Sequence, residues 1–227
     1  QSYGIPEAQE LHRGDEWILV DKPDGMPGRL DRDDPMNPVL FLADMLGLDR
    51  EHFAPAWPMP TRASGPWLFG LTDEEAARLG EAWRDGRMML TFLALTRRLE
   101  LPRGQLLGPG DVPITYSVTS YDEGLCELQL IPEYGRDAQK EDAPSPVEVI
   151  LEALAEVDAP VLGDRQRGGH MIDGGLRLRL AAVVWDEVGL GYSYPAPNDW
   201  WPEEPVLRWE EEPEEEEPEE SERASAR

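Results

Sequence analysis

The feature that most constrains the fold is a pair of β-rich apolar runs, residues 114–121 and 125–131, separated by only three residues. Three residues are too few for the crossover connection that parallel strands need, so the runs are predicted to pair as an antiparallel hairpin. Cys126, Leu128 and Leu130 alternate along the second run and are expected to share one face. The chain is therefore predicted to contain an antiparallel sheet.

Other segments carry the same strand pattern. Apolar runs rich in β-branched and aromatic residues predict strands at 17–20, 66–71, 88–96 and 176–185. Residues 101–111 are rich in Pro and Gly and are predicted to form a connection. Strands outnumber helices and are joined by short turns. This pattern indicates an α+β fold, a mixed, mostly antiparallel sheet with flanking helices.

Three helices are marked by residues that cap their N-termini. Asn37 followed by Pro38 starts a helix that Gly47 is expected to end. Two capping boxes, each with a Glu three residues after the cap, start helices over about 72–86 and 145–157. These helices are predicted to flank the sheet.

The C-terminal end differs in composition from the rest of the chain. Residues 203–227 hold 12 Glu and 3 Arg, a charge of −9, which leaves −17 of the total −26 for residues 1–202. An acidic run interrupted by Pro buries too little apolar surface to offset the entropy of ordering. The chain is predicted to comprise one folded domain, 1–202, and an acidic disordered tail, 203–227. Trp200 and Trp201, with Trp209 further along the chain, are expected to pack onto the domain, and docking onto a partner is the alternative.

Composition also excludes some classes of function. A domain with a net charge of −17 is not expected to bind nucleic acid strongly and nonspecifically, because such binding relies on Lys and Arg. No apolar run approaches the roughly 20 residues that a membrane span needs, so no membrane partner is expected. A lone cysteine, Cys126, fits a reducing compartment and a cytoplasmic protein. The three His residues are far apart and no cofactor motif is present, so neither a metal nor a cofactor is expected. The candidates for a local basic patch are Arg97, Arg98, Arg103, Arg165 and Arg167.

Four segments follow the order and spacing of one enzyme family. They are residues 17–27, with Lys22-Pro23-Asp24-Gly25, and residues 55–72, 90–95 and 159–164. In turn they resemble the opening strand and K-P-x-G turn, the H-R-L-D-R-D-T-S-G-L-L-L-F catalytic loop, the K-T-Y-L-A-L strand and the P-I-V-G-D loop of the RluA/RsuA-type RNA pseudouridine synthases. The resemblance covers about residues 14–190 and implies the fold of that family.

The resemblance implies a specific chemistry. A uridine is flipped into a pocket and attacked by an Asp, while a Tyr stacks on the base and an Arg pairs with the Asp. Anchored on residues 64–69, the family's catalytic Asp falls on Pro60, which has no side-chain nucleophile. The Tyr falls on Phe92, and the Arg falls on Leu151 or Glu141, depending on the anchor used for counting. No catalytic residue is assigned with this alignment.

The family's R-L-D-R-D string is present at another position, residues 29–33. It begins only two residues after the K-P-D-G-M-P turn and precedes the helix that the family places before its catalytic loop. Asp31 or Asp33 is therefore the alternative nucleophile, and a solvated acidic loop leading into the Asn37 cap is the simpler interpretation.

The sequence favours a degenerate pseudouridine synthase-like protein that binds RNA, a ribonucleoprotein or a basic protein. The resemblance places Phe92, Arg62, Ser64 and Gly65 in the substrate cleft. The alternative is an active RNA pseudouridine synthase, acting on rRNA or tRNA, with a relocated Asp nucleophile. A third hypothesis is a protein-binding module whose Glu-rich tail mimics the charge of nucleic acid.

Overall fold

The computed structural model describes residues 9–122, 124–135, 143–173 and 175–203. These residues form ten strands and three α-helices. The strands are β1 (Gln9–Arg13), β2 (Trp17–Lys22), β3 (Ala54–Pro55), β4 (Gly65–Gly70), β5 (Met89–Arg97), β6 (Arg103–Gly108), β7 (Val112–Asp122), β8 (Leu125–Pro132), β9 (Leu178–Trp185) and β10 (Leu190–Ser193), and the helices are α1 (Pro38–Met45), α2 (Asp73–Arg84) and α3 (Pro146–Glu156). Among the described helices, none is both long enough and apolar enough to cross a membrane.

The strands form two antiparallel sheets. The first has the order β1-β2-β4-β3, and the second has the order β10-β9-β5-β8-β7-β6. The two sheets contact each other where β4 lies against β9. The predicted α+β fold is confirmed, although the single sheet expected from the sequence is divided into two.

The predicted hairpin joins two neighbouring strands of the second sheet. β7 and β8 pair antiparallel, with Asp122 opposite Leu125. Cys126, Leu128 and Leu130 are all completely buried, as expected for three residues on one core-facing side of a strand. The short connection between β7 and β8 therefore determines that these strands pair, and the alternation of side chains determines which face of β8 lies in the core.

The three helix starts predicted from capping residues are also confirmed. Asn37, Thr72 and Ser145 each accept a hydrogen bond from a backbone N–H two or three residues later, at 3.0–3.2 Å. A cap of this kind satisfies one of the donors that a helix start leaves unpaired. The residue types at these positions therefore determine where each helix begins.

The prediction that residues 101–111 form only a connection is wrong, because they contain β6. Helix α3 packs on this strand, and a Cβ added at Gly108 would lie 2.6 Å from Cγ1 of Val149. The glycine permits close approach of strand and helix, which its sequence context alone does not distinguish from a turn. The short edge strands β1 and β10 were also not predicted.

The C-terminal part of the described chain covers the second sheet. Trp200 is buried and packs with Leu95, Leu125 and Leu162, while Trp201 lies partly buried against the same cluster. The expected packing of this tryptophan pair onto the domain is confirmed. Residues 204–227 lie outside the described part, so the disordered tail and the division at residue 202 stay predictions.

Candidate functional site

Lys22 is the central residue of the site that the sequence motifs indicate. It is the last residue of β2 and is 1% exposed. Its Nζ donates to the carbonyl oxygens of Pro23, Thr61 and Ala63 at 3.2, 3.1 and 2.6 Å. Two of these acceptors belong to the segment 56–64 between β3 and β4, hereafter the β3–β4 loop. The lysine of the K-P-x-G turn therefore holds this loop through its main chain.

The surroundings of Lys22 change its acidity. Burial lowers the pKa of the ammonium group to about 8, and the negative charge of Asp24 opposes this shift. The three carbonyl oxygens favour the protonated form by accepting hydrogen bonds from it. Near neutral pH the side chain is a buried cation that is bound to main-chain oxygens.

Two indole groups hold the other end of the β3–β4 loop. Nε1 of Trp83 donates to the carbonyl of Ala56, and Nε1 of Trp67 donates to the carbonyl of Trp57, both at 2.8 Å. All three tryptophans are buried. A buried donor that loses its acceptor carries a desolvation cost, so these bonds fix the loop strongly.

The preceding turn lies along the same loop. The backbone N–H of Met59 donates to the carbonyl of Gly28 at 3.0 Å, and the N–H of Gly25 donates to the carbonyl of Thr61 at 3.0 Å. A Cβ at Gly28 would lie 2.3 Å from the carbonyl oxygen of Met59, so only glycine allows this approach. Pro60 lies half-buried between these attachments.

The acid that contacts the loop is engaged in an ion pair. Asp24 Oδ1 lies 3.2 Å from Nε of Arg62, with the two side chains 34% and 47% exposed. The carbonyl of Arg62 accepts a hydrogen bond from the N–H of Leu176 at 3.0 Å. A Cβ at Gly175 would lie 2.7 Å from Cγ of Asp24. These contacts join the loop to the segment leading into β9.

A buried arginine lies where the two sheets meet. Arg179 of β9 is 5% exposed, and its guanidinium lies 5.0 Å from the ring centroid of Tyr194. A Cβ at Gly65 would lie 3.2–3.3 Å from the Arg179 side chain. Burial lowers the pKa of Arg179, and the Asp21 carboxylate opposes this shift. Within the described chain, Nε of Arg179 has no hydrogen-bond partner.

A row of rings continues from this arginine. Tyr194 stacks with Tyr192 at 6.2 Å, and Tyr192 stacks with His12 at 5.7 Å. His12 lies on β1, so the row links the edges of the two sheets. Arg179 and this row were not predicted from the sequence, although the alternation Arg177-Leu178-Arg179-Leu180 places two arginines on one face where β9 begins.

The predicted cleft residues have different surroundings. Arg62 is exposed, Ser64 is half-buried, and Gly65 is buried beside Arg179. Phe92 is 1% exposed and pairs with Leu130 and Leu180 on the neighbouring strands. The structure therefore brings Arg62, Ser64 and Gly65 to the sheet junction and places Phe92 in the core. Their assignment to a substrate cleft stays a prediction.

The loop that contains the alternative nucleophiles lies beside α1. Asp31 Oδ1 accepts a hydrogen bond from the N–H of Asp33 at 3.0 Å, and both side chains are exposed. Arg32 donates to the carbonyls of Arg50 and Phe53 at 2.7 and 3.4 Å. Residues of this loop line an open cavity of about 580 Å³; they are Arg29, Leu30, Asp31, Asp34 and Asn37.

The β3–β4 loop contains no pair of nucleophile and base. Pro60 occupies the position that the resemblance gives to the catalytic Asp, and the Lys22 amine is bound to three carbonyls. Among described residues no His, Asp or Glu hydrogen-bonds the Ser64 hydroxyl, so a base that would activate it is missing there. Nor do the described His, Cys, Asp and Glu residues form a group able to hold a metal ion.

Most arginines proposed for a basic patch are neutralised by acids or lie over a ring. Arg98 lies over the ring of Tyr121, with 4.9 Å between the guanidinium carbon and the ring centroid. Arg103 and Arg165 are exposed. The ion-paired arginines are Arg97 with Asp158, and Arg167 with Glu148, Glu152 and Asp164. Two of these five residues are therefore paired with acids, which weakens the prediction of a basic patch.

Two solved human structures are similar to this chain. One is RNA Pseudouridylate Synthase Domain Containing 4, with a TM-score of 0.63 and 15% sequence identity, over 84% of this chain and 89% of that one. The other is RNA Pseudouridylate Synthase Domain Containing 1, with a TM-score of 0.61 and 13% identity, over 87% and 86%. No family model and no curated protein matches the sequence. At these identities the likeness shows the fold, which is pseudouridine synthase-like as the sequence motifs imply.

Proposed function

We propose that this protein is a degenerate member of the RluA/RsuA-type pseudouridine synthases that lacks uridine isomerase activity and works as a binding module on a ribonucleoprotein. One observation carries the proposal. The β3–β4 loop is held in place by Lys22, Trp67 and Trp83, yet the position that the resemblance gives to the nucleophile is Pro60. The loop keeps its shape without its reactive group.

The other positions implied by the resemblance support the loss of activity. Phe92 has no hydroxyl and is 1% exposed, so its ring is not available to stack on a base. Leu151 is 2% exposed and apolar, and it cannot pair with a carboxylate. Glu141, the other position for the family's Arg, lies outside the described residues and is an acid.

The binding partner is inferred from fold and charge together. The two similar human proteins carry RNA pseudouridylate synthase domains by name, which supports a target that contains RNA. The net charge of −26 opposes direct contact with phosphates and favours basic protein surfaces. A ribonucleoprotein offers RNA and basic protein in one assembly, so it fits both observations.

The direct test is the pseudouridine content of bulk tRNA and rRNA, measured by mass spectrometry with the gene present and deleted. We expect identical modification maps. The purified full chain, incubated with RNA from the deletion strain, is expected to form no pseudouridine. A site that vanishes on deletion and returns with the purified protein would overturn the proposal.

An active synthase with a relocated nucleophile is the second candidate. The observation that favours it is the open cavity of about 580 Å³ beside Asp31. If the protein does form pseudouridine, this candidate requires Asp31→Ala or Asp33→Ala to abolish activity while the melting temperature is unchanged. Activity that survives both substitutions would exclude Asp31 and Asp33 as the nucleophile.

A further inference from the structure

The two sheets have four edge strands in the described chain, and three of them are poorly suited to further pairing. β3 has only two residues, and β10 has four and is followed by Pro195. β1 carries a register shift between Glu10 and His12. Short length, bulges and nearby proline are common protections of sheet edges. β6, the fourth edge, has six residues in unbroken register with β7.

The direction of the β6 backbone groups follows from the register of β7. The N–H of Val118 donates to the carbonyl of Pro102 at 2.7 Å, so even-numbered residues of β7 bond towards β6. The N–H of Glu133 donates to the carbonyl of Pro113 at 2.7 Å, so odd-numbered residues of β7 bond towards β8. Both bonds fit the alternation of an antiparallel ladder.

The same alternation defines the free side of β6. Even-numbered residues of β6 bond to β7, so Arg103, Gln105 and Leu107 direct their N–H and C=O groups to the outer edge. No described residue hydrogen-bonds these groups. They form three outward donors and three outward acceptors, which is the template that an added strand requires.

The side chains at this edge offer apolar anchors. Leu107 is 56% exposed and Leu101, just before the strand, is 62% exposed. On the opposite face Leu106 is buried and α3 packs on the strand. A segment lying along β6 would therefore meet two accessible leucines on one face and a helix-backed surface on the other.

We propose that β6 is the docking edge for an extended segment of a basic partner protein, which adds to the second sheet as a further strand. Charge selects this occupant, because the net charge of −26 outweighs the exposed Arg103, which is the one cation within β6. Glu100 precedes β6 and Asp111 follows it, and both are exposed. A second copy of the chain would be repelled, because it also carries a net charge of −26. The proposal is independent of whether the protein isomerises uridine.

The test uses the full chain labelled with ¹⁵N and two eight-residue probe peptides, one alternating Lys and Val and the other alternating Glu and Val. Amide hydrogen exchange is measured by NMR at each residue of β6. We expect the Lys/Val peptide to slow exchange at Arg103, Gln105 and Leu107, the amides that face outward. Exchange at Gly104 and Leu106, which already bond to β7, is expected to stay unchanged.

Two matched variants locate the contact. Gln105→Pro removes one outward N–H without removing a bond to β7. It is expected to weaken the binding of the Lys/Val peptide about fivefold, which corresponds to the loss of one hydrogen bond. Gln105→Ala keeps the N–H and is expected to bind normally. If Gln105→Pro does not fold, Glu100→Gln with Asp111→Asn replaces it, and weaker binding is again expected.

Three results would overturn the proposal. The first is that neither peptide protects the outward amides. The second is that the Glu/Val peptide protects them as well as the Lys/Val peptide, which removes the charge argument. The third is that these amides become protected as protein concentration rises without any peptide, which makes the edge a contact between two copies.

Discussion

At the scale of single residues, Lys22 fixes the shape of a loop that is distant in sequence. Lys22→Met removes the donor from three carbonyls, one of them within a fully buried hydrogen bond. We expect the free energy of unfolding to fall by at least about 2 kcal/mol, because the carbonyls of Pro23 and Ala63 lose this donor and each unpaired buried acceptor costs about 1–3 kcal/mol. The Thr61 carbonyl keeps its hydrogen bond from the Gly25 N–H. Urea denaturation measures the change. Arg62→Met, which breaks an exposed ion pair, is the control and is expected to cost less than about 1 kcal/mol.

The acidity of Lys22 gives a second prediction. Burial lowers its folded-state pKa to about 8 from 10.5, so the unfolded chain binds more protons between these values. The contribution of this group to stability is therefore fully present above pH 10.5, and it is lost as the pH falls to about 8. The stability difference between wild type and Lys22→Met is expected to grow with pH across this window, by up to about 3 kcal/mol. A difference that is constant from pH 7 to pH 11 would contradict it.

Whether the role of a residue can be predicted from the sequence depends on how far along the chain its hydrogen-bond partners lie. Asn37, Thr72 and Ser145 were identified as caps because their partners lie two or three residues away. Two of the three acceptors of Lys22 lie 39 and 41 residues away, and the sequence does not show that a lysine at that distance reaches them. The burial of Arg179 was likewise not visible, because it arises only where two sheets meet.

At the scale of elements, the contact between β6 and α3 depends on one missing side chain. Gly108→Ala would place a Cβ 2.6 Å from Cγ1 of Val149 and 3.0 Å from its carbonyl oxygen. We expect a loss of about 1–3 kcal/mol in the free energy of unfolding, the typical cost of overpacking. Thermal denaturation measures it. Gly191→Ala in β10 is the control, since a Cβ there meets nothing within 4 Å.

A double-mutant cycle tests whether this clash is the cause. Val149→Ala removes Cγ1, so adding it to Gly108→Ala is expected to cost less than the sum of the two single changes. Costs that simply add would show that the clash is with the carbonyl oxygen of Val149, which the alanine retains, and not with Cγ1.

Among the elements, those with local signals were predictable. The helices and the β7–β8 hairpin follow from caps and from a three-residue connection. β6 was missed because its glycines allow close packing, Gly104 against the Tyr116 side chain and Gly108 against α3. The sequence alone does not show what approaches a glycine. The division into two sheets also depends on long-range contacts between β4 and β9.

At the scale of the whole molecule, the net charge is the property that can be changed and tested most directly. Truncation after Trp209 removes ten Glu and two Arg, which changes the net charge from −26 to −18. We expect the truncated chain to elute from a poly-lysine resin at lower salt than the full chain, because exposed charges are screened as ionic strength rises. A full-length chain with these ten Glu changed to Gln is the control for length and should elute like the truncated one. Equal elution of all three chains would show that the tail does not contribute.

The donors that hold the β3–β4 loop all reach main-chain oxygens, and this has an evolutionary consequence. Lys22, Trp67 and Trp83 bond to carbonyls that every amino acid possesses. A change of side chain in the loop therefore removes none of these bonds, even when the new residue is a proline. Selection for folding and selection for chemistry then act on separate atoms. A lineage can lose the reaction in one substitution and keep a stable protein available for another use.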